Sequence, residues 1–115
     1  MKTLTSILKA QFEEEKKYFL EAKKYAQKIK NQAQKTLFPL QVFLFGSIVK
    51  GNWTPSSDID LLLVSPSVPK KQYQRAKIKT KLYQEIGLAS PFEIHLITPE
   101  EFSWYKRFID KKVKI

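Results

Sequence analysis

Phe45-Gly46-Ser47-Ile48-Val49-Lys50-Gly51 and, with ten residues between Ser47 and its start, Asp58-Ile59-Asp60-Leu61-Leu62-Leu63-Val64 are the stretches on which the fold turns. Glycine directly after a strand lets the backbone turn tightly and come close to a ligand. The N–H groups that follow, at the start of a short helix, point outward as an anion site. Ser47 adds a hydroxyl, Gly51 keeps the turn slim, and Lys50 offers a cation for phosphates. Side chains two apart on a strand share a face, so Asp58 and Asp60 present two carboxylates side by side at its beginning. Two adjacent carboxylates repel, and a hard cation such as Mg²⁺, shared with phosphate oxygens, is the natural way to hold them together. Taken singly, Gly46-Ser47 reads as a plain turn, Asp58 as a turn residue and Asp60 as an exposed edge carboxylate. Only the combination points to phosphate and metal chemistry.

Working outward, Leu40-Gln41-Val42-Phe43-Leu44-Phe45 is β-branched and aromatic and stops at Gly46, as a strand does. A short segment, Ile48 to Asn52, reads as one or two helical turns. Leu61 to Val64 is apolar at every position, so both faces of that strand must be covered, which suits an internal strand. Upstream, Leu8, Phe12, Phe19, Ala22, Ala26, Ile29 and Ala33 recur at three, four or seven residues and predict one long amphipathic helix from Thr5 to about Lys35. Pro39 ends that pattern.

Downstream, Ser65-Pro66-Ser67 breaks the second strand, and a helix is expected from Pro69 to Ile86, with Tyr73, Ala76, Thr80 and Tyr83 on one face and Gly87 as its stop. Pro91 to Ile97 alternates like a third strand, placing Glu93 and His95 on one face and Phe92, Ile94 and Leu96 on the other. Thr98-Pro99-Glu100-Glu101 carries an N-cap threonine, proline at the first helical position and glutamate three after the cap, and predicts a last helix to about Ile109 with Phe102, Tyr105 or Trp104, and Ile109 on its apolar side. The order helix, strand, strand, helix, strand, helix predicts an α+β (α/β-like) domain: a small mixed sheet with helices packed mainly on one face.

Its 115 residues suffice for one core and not two, and 43% hydrophobic content with eight Phe, five Tyr and two Trp excludes disorder. The absence of cysteine excludes disulfides, thiolate zinc sites and a cysteine nucleophile. No apolar run suggests a signal peptide or membrane span, so a cytoplasmic location and no membrane partner are expected. The net charge of +10 asks for an anionic partner such as nucleotide phosphates, nucleic acid or an acidic protein. Most of the lysines fall in three separate segments, 16–35, 70–81 and 106–114, and read as solvated helix faces more readily than as a binding stripe. Nucleic acid is not excluded, although no RNA-binding motif supports it.

The turn at Gly46-Ser47 and the acidic triplet Asp58-Ile59-Asp60 running into an apolar strand together resemble the nucleotidyltransferase superfamily of the DNA polymerase beta type. The chain's length further resembles the minimal nucleotidyltransferases. The resemblance is specific from Leu40 to Val64 and agrees in element order through Leu96. It implies a single domain, 1–115, with an N-terminal helix (1–36) to which it assigns no role, a catalytic core (37–97) and a C-terminal helix (98–115).

By that resemblance, Gly46 and Ser47, with Lys50 nearby, hold the triphosphate of a nucleotide, ATP by preference, and Asp58 and Asp60 bind Mg²⁺ or Mn²⁺. The family's third acidic residue falls on Glu93, where Asp is more usual, as metal ligand or general base. His95 stands beside it as the weaker candidate. The implied reaction moves a nucleoside monophosphate, AMP for ATP, to a hydroxyl. The implied partner is a small helical HEPN-type protein, in a toxin–antitoxin pair. The alternative is a catalytically weak or inactive antitoxin or interaction module that neutralises a helical partner by stoichiometric binding. Neither oligomeric state nor base specificity is written in these residues; Tyr73, Trp53 and Phe92 could stack on a base but are more simply core.

Overall fold

Four short extended segments build one sheet, and the helices take their places from its two faces. The computed structural model describes residues 3–88 and 90–115, with the side chains of Gln11, Phe12, Glu14 and Glu15 outside that description. The elements are α1 (Leu4–Leu20), α2 (Ala22–Ala33), β1 (Gln41–Phe45), α3 (Ser47–Lys50), β2 (Ile59–Val64), α4 (Gln72–Ile86), β3 (Phe92–Ile97), α5 (Pro99–Tyr105) and β4 (Lys112–Lys114). The sheet order is β3-β2-β1-β4. β1 runs antiparallel to both β2 and β4, and β3 runs parallel to β2. The α+β expectation of a small mixed sheet therefore holds, and β2 is internal, as its apolar run requires.

On one face Val42, Leu44, Ile59, Leu61, Leu63, Phe92, Ile94 and Leu96 form the main core with Ala22, Ala26, Ile29 and Ala33 of α2 and Leu82 and Ile86 of α4. On the other face Phe43, Leu62, Val64 and Ile97 meet Phe102 of α5 in a smaller cluster. Helices thus lie mainly on one side, and α5 covers only part of the second. Among the described residues no helix is long and apolar enough to cross a membrane.

Four expectations are corrected. The single N-terminal helix (1–36) is two helices, broken at Glu21, whose φ of −115° and ψ of 29° leave the helical range. Phe19 is held by stacking on Trp53 at 4.7 Å, and from there α2 lies on the sheet, whereas Leu4, Ile7 and Leu8 of α1 are exposed. The described side chains of the N-terminal half of α1 are all exposed, and the molecule extends to 52 Å along its long axis. Leu8 is therefore not part of the buried stripe; the side chain of Phe12 lies outside the described residues.

α4 buries Arg75, Leu82 and Ile86 instead of Tyr73, Ala76 and Thr80, and Tyr73 is exposed. Counting apolar residues misplaces this face because its first inward residue is an arginine. The Arg75 guanidinium is satisfied there by the Pro69 and Leu96 carbonyls and by Glu101, at 2.8 Å.

The last helix stops at Tyr105, four residues short of Ile109, although its expected capping box between Thr98 and Glu101 is present. The 98–115 segment is therefore not all helix: Lys112–Lys114 adds β4 to the sheet. Lys-Val-Lys carries no signal of its own and becomes a strand by pairing with β1, with Val113 facing the main core.

Candidate active site

The sheet register decides which side chains meet. Phe45 lies opposite Asp60, Asp60 opposite Glu93, and Phe45 opposite Lys112 on its other side. Lys112, Phe45, Asp60 and Glu93 therefore form one row across all four strands on the α5 face. His95, two residues along from Glu93, shares that face. Asp60 is the one position of β2 that is not fully buried, because α5 stops over Phe43 and leaves this end of the face uncovered.

Asp60, Glu93 and His95 each offer a donor atom, all within 4.8 Å of one another. The Nε2 of His95 lies 3.4 Å from Oδ1 of Asp60 and 3.9 Å from Oε1 of Glu93. The imidazole is flanked by Phe45 at 5.4 Å and by Tyr105, edge-on, at 6.2 Å. Two carboxylates and an imidazole are a donor set that suits a divalent cation.

Gly46 follows β1 with φ 80° and ψ −152°, a backbone conformation essentially reserved for glycine. A Cβ at this position would collide with Oδ2 of Asp60. The glycine of the Gly-Ser turn and the second aspartate are thus in direct contact, and the turn's backbone is pressed against the carboxylate. Ser47 opens the four-residue α3, next to this contact. Lys50 closes α3 and pairs with Asp110 at 3.3 Å.

Asp58 is exposed just ahead of β2, and its carboxylate is not one of the three converging groups. It stands close enough, with Glu93, to act on Tyr83. Burial, then the negative charges of Glu93 and Asp58, push the Tyr83 phenol above its ordinary value, against the opposing hydrogen bond from the Ile94 N–H.

The structure brings together Gly46, Asp60 and Glu93 from three segments expected to carry the site, and sets Asp58 and Lys50 at its margins. Sequence reasoning ranked His95 below Glu93 because strand alternation shows that they share a face but not how near either comes to Asp60. Phe45 and Tyr105 as walls and Lys112 as the cation in the row were missed. The first was assigned to a strand without a direction, and the last depends on β4.

The model of the nucleotidyltransferase domain family matches residues 22–115, which include every residue of this site. No curated protein is significantly similar to the chain. Among solved structures, the crystal structure of one candidate nucleotidyltransferase is 31% identical, superposes with a TM-score of 0.64, and is matched over 77% of this chain and 95% of its own. A second, a candidate nucleotidyltransferase from Sulfolobus solfataricus, is 19% identical with a TM-score of 0.57 over 90% of this chain and 84% of its own, a likeness of fold. With its Gly-Ser turn set against an acidic strand and its family match spanning the sheet and all but the first helix, this chain belongs to the nucleotidyltransferase domain family.

Proposed function

We propose that the protein transfers a nucleoside monophosphate, AMP from ATP, to a hydroxyl on a helical HEPN-type partner, as the antitoxin of a toxin–antitoxin pair. One observation carries the catalytic part: Asp60 and Glu93 sit at the same register on adjacent strands, with Gly46 packed bare against Asp60. Asp60 and Glu93, with Asp58 at the mouth, would hold Mg²⁺ or Mn²⁺. A divalent cation bound there would neutralise triphosphate charge and make the attacking hydroxyl more acidic.

The side chains divide the remaining work. The Gly46 and Ser47 backbone would receive the triphosphate, with the Ser47 hydroxyl as a further donor and Lys50 as a cation released from Asp110. The hydroxyl oxygen forms a bond to the α-phosphorus while the bond to the bridging α–β oxygen breaks and pyrophosphate leaves. The hydroxyl proton passes to Glu93, which faces the uncovered end of the sheet. Phe45 and Tyr105 would exclude water from one side.

A second reading, stoichiometric binding without chemistry, draws on the exposed Leu4, Ile7 and Leu8 of α1 as a docking face. The two readings separate in one experiment. The protein is incubated with Mg²⁺, a HEPN-type partner and ATP labelled on either the α- or the γ-phosphate. Label should reach the partner from the α position only, and Asp58→Asn with Asp60→Asn should abolish transfer. If the double variant neutralises the partner as well as wild type and no label moves, binding replaces catalysis.

A further inference from the structure

We propose that His95 is a direct metal donor, and that the cation held by Asp60, Glu93 and His95 is Mn²⁺ in preference to Mg²⁺. The inference rests on the metal site of the proposed function and adds to it a nitrogen ligand and a choice of ion.

Distance is the first argument. Two donors each about 2.1 Å from one ion, in adjacent positions of the octahedral geometry that Mn²⁺ takes, stand about 3.0 Å apart. His95 Nε2 already lies 3.4 Å from Asp60 Oδ1 and 3.9 Å from Glu93 Oε1. At 3.4 Å the first of these is a loose hydrogen bond, longer than the usual range, and it lies within about half an ångström of the spacing of two adjacent ligands around a common ion.

Placement is the second. His95 projects from the same face as Glu93, one pleat further along β3, so its ring reaches diagonally toward Asp60. Phe45 at 5.4 Å and Tyr105 at 6.2 Å restrict its rotation, so Nε2 is held toward the carboxylates before any ion arrives. The side chain is 22% exposed and that of Asp60 is 24% exposed, which shields the pair from bulk water while Glu93, 53% exposed, keeps an approach open. A preoriented donor loses little freedom on ligation.

Ion choice follows from the donor type. Mg²⁺ takes oxygen ligands in near-ideal octahedral geometry and retains its waters. Imidazole nitrogen favours later divalent ions, and Mn²⁺, which keeps a strong affinity for carboxylate and phosphate oxygen, accepts both. A site with two carboxylates and one imidazole is therefore biased toward Mn²⁺ by its nitrogen.

The test uses the untagged protein, in which His95 is the single histidine, in nitrogen-free buffer with metal alone. Electron spin-echo modulation of bound Mn²⁺ should show a directly coupled nitrogen. His95→Phe, which keeps the aromatic packing, should weaken Mn²⁺ binding about tenfold or more and change Mg²⁺ binding by less than about threefold. Wild-type Mn²⁺ without nitrogen coupling overturns the proposal, as does an equal loss of both ions in His95→Phe. The wild-type spectrum decides even if the variant fails to fold. Asp60→Asn separates the two levels: Mn²⁺ binding unaffected by it would remove the metal site of the proposed function itself. Binding lost in Asp60→Asn, with no nitrogen coupling in wild type, would leave that function standing and His95 out of it.

Discussion

Gly46→Ala tests the contact between the turn and the acidic strand. At φ 80° and ψ −152° an L-residue is strained by roughly 1–3 kcal/mol, and the new Cβ would also meet Asp60 Oδ2. β2 cannot yield, because Ile59 and Leu61 on either side of Asp60 are fully buried. The carboxylate must instead rotate away, at a further cost of about 1 kcal/mol. Gly51→Ala is the control: φ is 81° and ψ 6°, an ordinary left-handed position with open space around it, so only about 1–2 kcal/mol is expected. For a chain of this length each kcal/mol lowers the melting temperature by about 4 °C. Gly46→Ala should thus lose about 8–16 °C and Gly51→Ala about 4–8 °C in calorimetry. Mn²⁺ should raise the melting temperature of wild type and Gly51→Ala, and fail to do so in Gly46→Ala, whose displaced Asp60 no longer meets Glu93 and His95. Equal melting of the two variants, with the Mn²⁺ effect retained in both, would refute the argument that this glycine is required by the carboxylate.

Arg75→Met should destabilise the protein by about 2–3 kcal/mol in urea unfolding, since the Pro69 and Leu96 carbonyls lose their buried donor. The hydrogen bond from Arg75 holds the Glu101 carboxyl below its usual value, so this contribution is present above about pH 4.5 and lost as pH falls through the lower folded-state value; Arg75→Met should flatten that acid limb of stability. Deleting residues 1–15 should change the melting temperature by less than about 4 °C, because the described side chains at that end of α1 are exposed, whereas Phe19→Ala, which removes the stack on Trp53, should cost about 3 kcal/mol.

What could be read from the chain beforehand was whatever is encoded locally. β1 and β2 are runs of apolar residues with a glycine or a pair of aspartates at their ends, and the start of α5 carries its capping box in four consecutive residues. Features created by tertiary contact were hidden. The break at Glu21 depends on where the apolar support under the helix ends, and the inward face of α4 depends on a carboxylate 26 residues away that makes Arg75 tolerable. β4 exists only against β1. The site shows the same division: alternation put Glu93 and His95 on one face, but their closeness to Asp60 follows from the parallel register of β2 and β3, which no short stretch encodes.

The hydroxyl of Tyr83 accepts a hydrogen bond from the Ile94 N–H at 2.9 Å, on the outer side of β3, where no further strand pairs among the described residues. An edge strand with free amides is a template for another chain, and here one of those amides is already taken by a side chain from α4. At the opposite margin β4 is only three residues long and places a lysine on each side of Val113. Both borders of the sheet thus discourage another strand from joining, one by occupying an amide and the other by brevity and charge. Extension of the sheet into a neighbouring copy is thereby disfavoured at both margins.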